Sequence, residues 1–308
     1  MTESPFEDAS VFRRLVALRR GTMLVVRSLS LVFGLLVARG LNRPADPERR
    51  VRRWARRTMR SLGVRIRVEG EVPTGPVVLV ANHLSYLDIP LLWTLVPGRF
   101  VARADVADWP GIGSAARTLG TLFLDRTRKR ALLDVLPRMT DALRDGGAVV
   151  FFPEATSTRG AAVLPFKSAL FESAIRTGAP VVAASLDYET SDRNRPADTS
   201  VCWWGDMTFL PHLGRLLTLP RIEARVRFSR PLPPPSEGFA ADRPMERRAG
   251  ARSSSPHHSR KRKELCRLAY EAVQKKFVPT TPPESFGPAD RPRPIPSEAA
   301  SRAAPPAR

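Results

Sequence analysis

His83 and Asp88 stand five residues apart in the stretch Val77–Pro90, VVLVANHLSYLDIP. On an ideal helix such a pair is separated by about 140° and shares no face. The two side chains meet if His83 occupies a strand-to-helix turn and Asp88 the first turn of the following helix. A carboxylate bonded to one imidazole nitrogen fixes the tautomer and leaves the other nitrogen to take a proton from an alcohol. This is part of a Ser-His-Asp triad with the hydroxyl missing, and a substrate can bring it. Ser85 lies inside the motif and is not read as a covalent nucleophile. Taken alone, such a His/Asp pair is more often structural, so the rest of the chain must decide.

Two further polar clusters follow apolar runs. Asp125 and Arg126 come directly after Leu122–Leu124. A guanidinium at a strand exit suits bidentate binding of phosphate or carboxylate, with a surface ion pair as the plainer role. Glu154, Thr156, Ser157, Thr158 and Arg159 follow Val149–Phe152. They bring a carboxylate and several hydroxyls to one loop, or form a polar turn that caps the next helix.

The elements that must position these residues alternate. Val64–Val68, Val77–Val80, Phe100–Ala102, Leu122–Leu124, Ala148–Phe152, Pro180–Ser185 and Ile222–Phe228 read as strands. Ile89–Leu95, part of Trp109–Leu119, Lys129–Arg144 and Lys167–Arg176 read as helices. The alternation predicts an α/β fold: a largely parallel sheet with helices on both faces, preceded by N-terminal membrane-associating helices. In such sheets active groups gather beyond the carboxyl ends of the strands.

The chain has 308 residues and a formal net charge of +20, which calls for an anionic partner. Residues 1–62 hold 14 arginines against 5 acidic residues. Gly21–Ala38 is strongly apolar, but its charge-free part, Ser28–Ala38, is too short to span a bilayer. It can dip into one leaflet, or the longer segment can span if Arg27 snorkels; a buried core helix is the bland alternative. Arg49–Leu62 places Val51, Trp54, Ala55, Thr58, Met59 and Leu62 on one helical face and arginines on the others, suited to an anionic membrane or to packing on its own domain. Aromatic content of 7% is thin for stacking on bases, and no nucleic-acid partner is expected. Cys202 and Cys266 form no metal spacing or disulfide framework, which favours a reducing, cytoplasmic face. His257-His258 makes a poor metal site, and no metal is expected. Residues 231–261 and 279–308 read as disordered on composition, around a C-terminal helix over 262–278.

Across residues 63–230 the motifs together resemble the glycerolipid acyltransferase family, relatives of 1-acylglycerol-3-phosphate acyltransferase. The carriers are Asn82-His83-Leu84-Ser85-Tyr86-Leu87-Asp88, Gly120-Thr121-Leu122-Phe123-Leu124-Asp125-Arg126, Phe152-Pro153-Glu154-Ala155-Thr156 and Ala179-Pro180-Val181-Val182-Ala183-Ala184, in order and suitably spaced. Ala155 replaces the usual glycine, so the turn must accept a Cβ. Ser157 replaces an arginine that in the family helps to bind the acceptor's phosphate; Arg159 could substitute. Trp203-Trp204-Gly205-Asp206-Met207 with His212 resembles a branch that includes lyso-ornithine lipid acyltransferases, and His212 itself is read as structural.

The resemblance implies an O-acyltransferase that needs no bound cofactor. His83 and Asp88 would be catalytic, with Arg126, Glu154, Thr156 and Arg159 at the acceptor head group. The donor would be acyl-CoA or acyl-carrier protein, and the acceptor a lysolipid such as 1-acylglycerol-3-phosphate. Lyso-ornithine lipid or another lysophospholipid is the alternative acceptor, and a CoA-independent transacylase shares the same residues. The expected place is the cytoplasmic face of the cell membrane, monotopic or with a single span, on an anionic leaflet. The competing non-enzyme reading is a basic membrane- or nucleic-acid-binding protein in which His83 is dispensable.

Overall fold

The computed structural model describes residues 11–41, 46–109, 112–125, 128, 130–232 and 256–280. The chain runs α1 (Val11–Gly40), α2 (Pro47–Ser61), β1 (Val64–Glu69), β2 (Val78–Ala81), α3 (Asp88–Leu95), β3 (Gly98–Arg103), α4 (Ile112–Thr118) and β4 (Leu122–Leu124). It continues with α5 (Ala131–Arg144), β5 (Ala148–Phe151), α6 (Glu172–Thr177), β6 (Val181–Thr190), α7 (Ala197–Ser200), α8 (Phe209–Leu217), β7 (Ile222–Phe228) and α9 (Pro256–Lys276). One seven-stranded sheet has the order β1-β7-β6-β2-β5-β3-β4. Its strands pair in parallel except β6 with β7, in register from Ala184↔Phe228 to Thr190↔Ile222.

The apolar runs explain the layering. Every residue of β2 and β5 is buried, as befits strands covered on both faces. Val78, Val80, Val149 and Phe151 face a core shared with α5 and α9, while Leu79, Ala81 and Val150 face the core under α2 and α3. β7 alternates buried and half-buried residues, the pattern of a strand with one face against a core.

The N-terminal helices differ from expectation in an informative way. The apolar stripe of α2 is covered by protein: Val51, Ala55 and Met59 are buried, and the Trp54 indole donates to Ser28 Oγ at 3.2 Å. The unpartnered apolar surface belongs to α1, a continuous 30-residue helix, about 45 Å long. Phe12, Leu15, Leu18, Leu29, Phe33 and Leu36 are exposed along it. The side facing the domain buries Ala17, Leu35 and Ala38 together with Arg20. The buried Arg20 guanidinium donates to the carbonyls of Leu217 and Leu219 at the end of α8. Arg27 donates to Arg57 O at 2.7 Å and to Ser61 Oγ. The helix is long and apolar enough to cross a membrane, but little of it is buried, so it is no core helix.

Other differences are local. α9 begins at Pro256, ahead of the expected position 262, and places His258 within a helix. Lys167–Arg176 splits into two irregular residues, a short 3-10 turn and α6, while β6 runs on to Thr190. The proposed unstructured stretches fall almost wholly outside the described residues.

Candidate active site

β2 ends at Ala81 and α3 starts at Asp88, so His83 lies in the connecting turn and Asp88 at the first helical position. His83 Nδ1 stands 2.7 Å from Asp88 Oδ2. The same oxygen accepts the backbone N–H groups of Leu84 (2.7 Å) and Ser85 (3.0 Å). Asp88 Oδ1 accepts the Tyr188 hydroxyl at 2.7 Å. Asp88 is completely buried, whereas the His83 side chain is 21% exposed. A carboxylate holding Nδ1–H leaves Nε2 as the nitrogen able to take a proton. The imidazole also stacks on Phe152, with centroids 4.0 Å apart and an interplanar angle of 13°. Ser85 is buried and its Oγ accepts from Leu87 N, so the hydroxyl serves the turn.

The backbone of the turn is tied to distant segments. Asn82 pairs both ways with Leu186 on β6: its Nδ2 donates to the carbonyl at 2.9 Å and its Oδ1 accepts the N–H at 2.7 Å. The His83 carbonyl accepts from Thr158 N at 2.9 Å, and the Leu84 carbonyl from Trp203 N at 2.8 Å. The His83 N–H donates to Glu154 Oε1 at 2.9 Å, while Glu154 Oε2 accepts from Leu164 N at 2.9 Å. Glu154 therefore sits buried beneath the histidine with both oxygens on backbone donors. Burial pushes its carboxyl up to about 8, helped by nearby Asp88 and opposed by the two N–H bonds. The next residue, Ala155, adopts a left-handed φ of 69°, the conformation that a glycine would take there without strain.

The remaining expected residues divide. Thr156 is exposed, with its hydroxyl 3.4 Å from the Ser157 carbonyl. Arg159 turns inward: its guanidinium donates to Asp198 Oδ2 at 2.9 Å and lies 5.3 Å from the Trp204 ring centroid. Arg126 lies outside the described residues. His212 is buried and faces the Tyr86 hydroxyl at 3.0 Å; burial lowers its pKa to about 4, against the effect of the Cys202 backbone. Tyr188 and Asp198 had no local signal in the sequence, and Phe152 appeared there as a motif residue without its stacking role. Tyr188 simply continues the alternate apolar positions Val182, Ala184 and Leu186 of a buried strand.

Comparisons with known proteins show the family. A family model described as Acyltransferase matches residues 64–187. Lyso-ornithine lipid O-acyltransferase of Pseudomonas aeruginosa is 36% identical over 186 residues, 60% of this chain and 70% of that protein. The chain belongs to the acyltransferase family. A second relative of this acyltransferase, 1-acyl-sn-glycerol-3-phosphate acyltransferase of Neisseria meningitidis, is 33% identical over 187 residues, 60% of this chain and 72% of that protein. The crystal structure of the 1-acyl-sn-glycerophosphate (LPA) acyltransferase PlsC from Thermotoga maritima shares the fold. Its TM-score is 0.57 at 20% identity, covering 87% of this chain and 96% of that one. The acyltransferase is thus of the glycerolipid and lysolipid type, built on a PlsC-like fold.

Proposed function

We propose that this acyltransferase transfers a fatty acyl group from a thioester to the hydroxyl of a lysolipid, with His83 as general base and Asp88 as its orienting carboxylate. The observation that carries the reading is a partly exposed imidazole whose Nδ1 is held by a fully buried carboxylate at the carboxyl end of β2. Nε2 takes the acceptor hydroxyl's proton as that oxygen attacks the thioester carbonyl carbon. The C–O bond forms, the C–S bond breaks, and the proton passes to the departing thiolate. Asp88 stabilises the transient imidazolium.

Lyso-ornithine lipid is the favoured acceptor. Ser157 stands where a phosphate-binding arginine is common, and Arg159 already spends its charge on Asp198. The Pseudomonas relative named for that lipid supports the same choice. Arg126 is the cation left for an anionic head group. Glu154 holds backbone donors and acts on the acceptor only through the position of His83. The donor is acyl-CoA or acyl-carrier protein, used as a substrate.

α1 lies in the plane of one leaflet with its apolar side in lipid. Arg20 and Arg27 fasten its opposite side to the domain, and an upright α1 would drag α2 and α8 into hydrocarbon. A cytoplasmic leaflet rich in anionic lipid would suit the arginines of α2.

The test offers labelled acyl-CoA, and in parallel labelled acyl-carrier protein, to the solubilised enzyme. Lyso-ornithine lipid, lysophosphatidate and lysophosphatidylcholine serve as acceptors, with His83→Ala as control. Transfer that vanishes in a folded His83→Ala variant is the expected result. A folded variant of wild-type activity refutes the catalytic assignment, and transfer confined to lysophosphatidate refutes the acceptor. Transfer that requires a phospholipid as donor would identify a transacylase instead.

A further inference from the structure

We infer that Tyr188 is a positioning residue for catalysis: its hydroxyl holds the second oxygen of Asp88 and thereby sets how strongly Asp88 pulls on His83. The inference rests on the general-base reading of His83.

The geometry is specific. Asp88 receives three donors on Oδ2, namely His83 Nδ1, Leu84 N and Ser85 N. On Oδ1 the described contact is the Tyr188 hydroxyl at 2.7 Å. Rotation of the carboxylate would carry Oδ2 away from the imidazole. A donor on Oδ1 opposes that rotation and withdraws part of the negative charge from Oδ2. Tyr188 reaches this place because β6 is the strand that changes partners. Its first half pairs with β2, which delivers His83, and its second half with β7. Tyr188 lies four residues beyond the last β2 pairing, Ala81↔Ala184, on the side of β6 that faces the core under α3. The side chain is almost completely buried and cannot reorient without leaving a polar group unpaired. Burial and the Asp88 charge raise the phenol's pKa well above its ordinary value, so it remains a donor throughout the working range of the enzyme.

The effect can be followed through the proton. Loss of the phenol leaves Asp88 with more charge on Oδ2, so the His83 imidazolium is held more firmly. Among the described residues, the other titratable and charged groups around the pair and Tyr188 are Glu154 after β5, Asp187 on β6 with Arg225 and Arg227 of β7, and Cys202 with the Arg159–Asp198 ion pair beyond β6. All are retained in a Tyr188 variant, so their contributions cancel in the comparison with wild type. A tyrosine that merely fills the core would affect thermal stability and leave the pH dependence unchanged.

The experiment measures kcat and KM against pH for full-length enzyme in mixed micelles of detergent and lysolipid. In Tyr188→Phe the acidic limb of kcat/KM should move up by about one pH unit, the loss of one hydrogen bond to a charged acceptor. The plateau kcat should fall by about tenfold, because the carboxylate is free to rotate Oδ2 away from the imidazole, while KM for the acceptor stays within about twofold of wild type. In an Asp88→Asn background, where the carboxylate is absent, Tyr188→Phe should reduce the residual rate by less than about twofold. If Tyr188→Phe fails to fold, 3-fluorotyrosine at position 188 decides the matter. It preserves the shape and donates more strongly, and should move the same limb to lower pH. A folded Tyr188→Phe enzyme with the wild-type limb and plateau overturns the inference, as does an undiminished loss in the Asp88→Asn background. Either result leaves the His83→Ala test untouched, so the two readings fail separately.

Discussion

Replacing Glu154 with glutamine should remove a fall in this enzyme's stability with rising pH. The carboxyl group is buried, and its pKa is pushed from 4.5 to about 8. In the unfolded chain the group loses its proton near 4.5, while the folded protein keeps it up to about 8. Between these limits the folded state binds more protons, so stability falls as pH rises. At about 1.4 kcal/mol per pH unit, the window amounts to about 5 kcal/mol. Below it the contribution is fully present, and above it no further loss occurs. A glutamine is neutral throughout and carries no such slope. It offers one acceptor oxygen to the N–H groups of His83 and Leu164, which at present have one oxygen each. Leaving one buried N–H without an acceptor costs about 1–3 kcal/mol. Glu154→Gln should therefore melt below wild type at pH 5 and at or above it at pH 9. Tryptophan fluorescence melts across that range in one detergent provide the assay. Parallel curves for the two proteins, with no crossing, would show that Glu154 is not held in the proposed environment.

Three further outcomes are expected. Ala155→Gly should raise Tm by about 1–4 °C, because relief of a left-handed alanine (about 1–2 kcal/mol) exceeds the added chain entropy; calorimetry showing a lower Tm contradicts the strain argument. Arg20→Met should strip two α8 carbonyls of their donor, weaken the docking of α1 by about 2–4 kcal/mol, and speed the release of residues 1–40 in limited proteolysis. Asp198→Asn should release Arg159 and raise the use of lysophosphatidate relative to lyso-ornithine lipid by about three- to tenfold, or roughly 1 kcal/mol; an unchanged ratio in competition assays removes Arg159 from the argument about the acceptor.

What could be read from the sequence depended on the span of each interaction. The His83–Asp88 pair closes over five residues, and its strand-turn-helix setting follows from the local apolar run. The strands that line the core were visible for the same reason, as runs of Val, Leu and Ala. The partners that tie the turn down were not. Glu154 is 71 residues from His83, and Tyr188 is 100 residues from Asp88. Arg159 had the right charge for an acceptor ligand, but Asp198, 39 residues away, claims it. Motif resemblance offered Glu154 as a head-group ligand, and only the fold shows its side chain bonded to backbone N–H groups. The stripe on α2 showed amphipathic character without showing that protein, and not lipid, covers it.

The proposed placement of α1 would change what concentration means for this enzyme. With the exposed apolar flank of the 30-residue α1 in one leaflet, as proposed, the protein and its lysolipid would share a surface. The acceptor's availability is then its mole fraction among neighbouring lipids, and adding inert lipid slows the reaction at constant bulk concentration. The two substrates also arrive by different routes: the acceptor by lateral diffusion, the thioester from solution. A turnover need never lift either lysolipid or product out of the bilayer. The cost of extracting a hydrocarbon tail, about 0.8 kcal/mol for each methylene, is absent from the catalytic cycle.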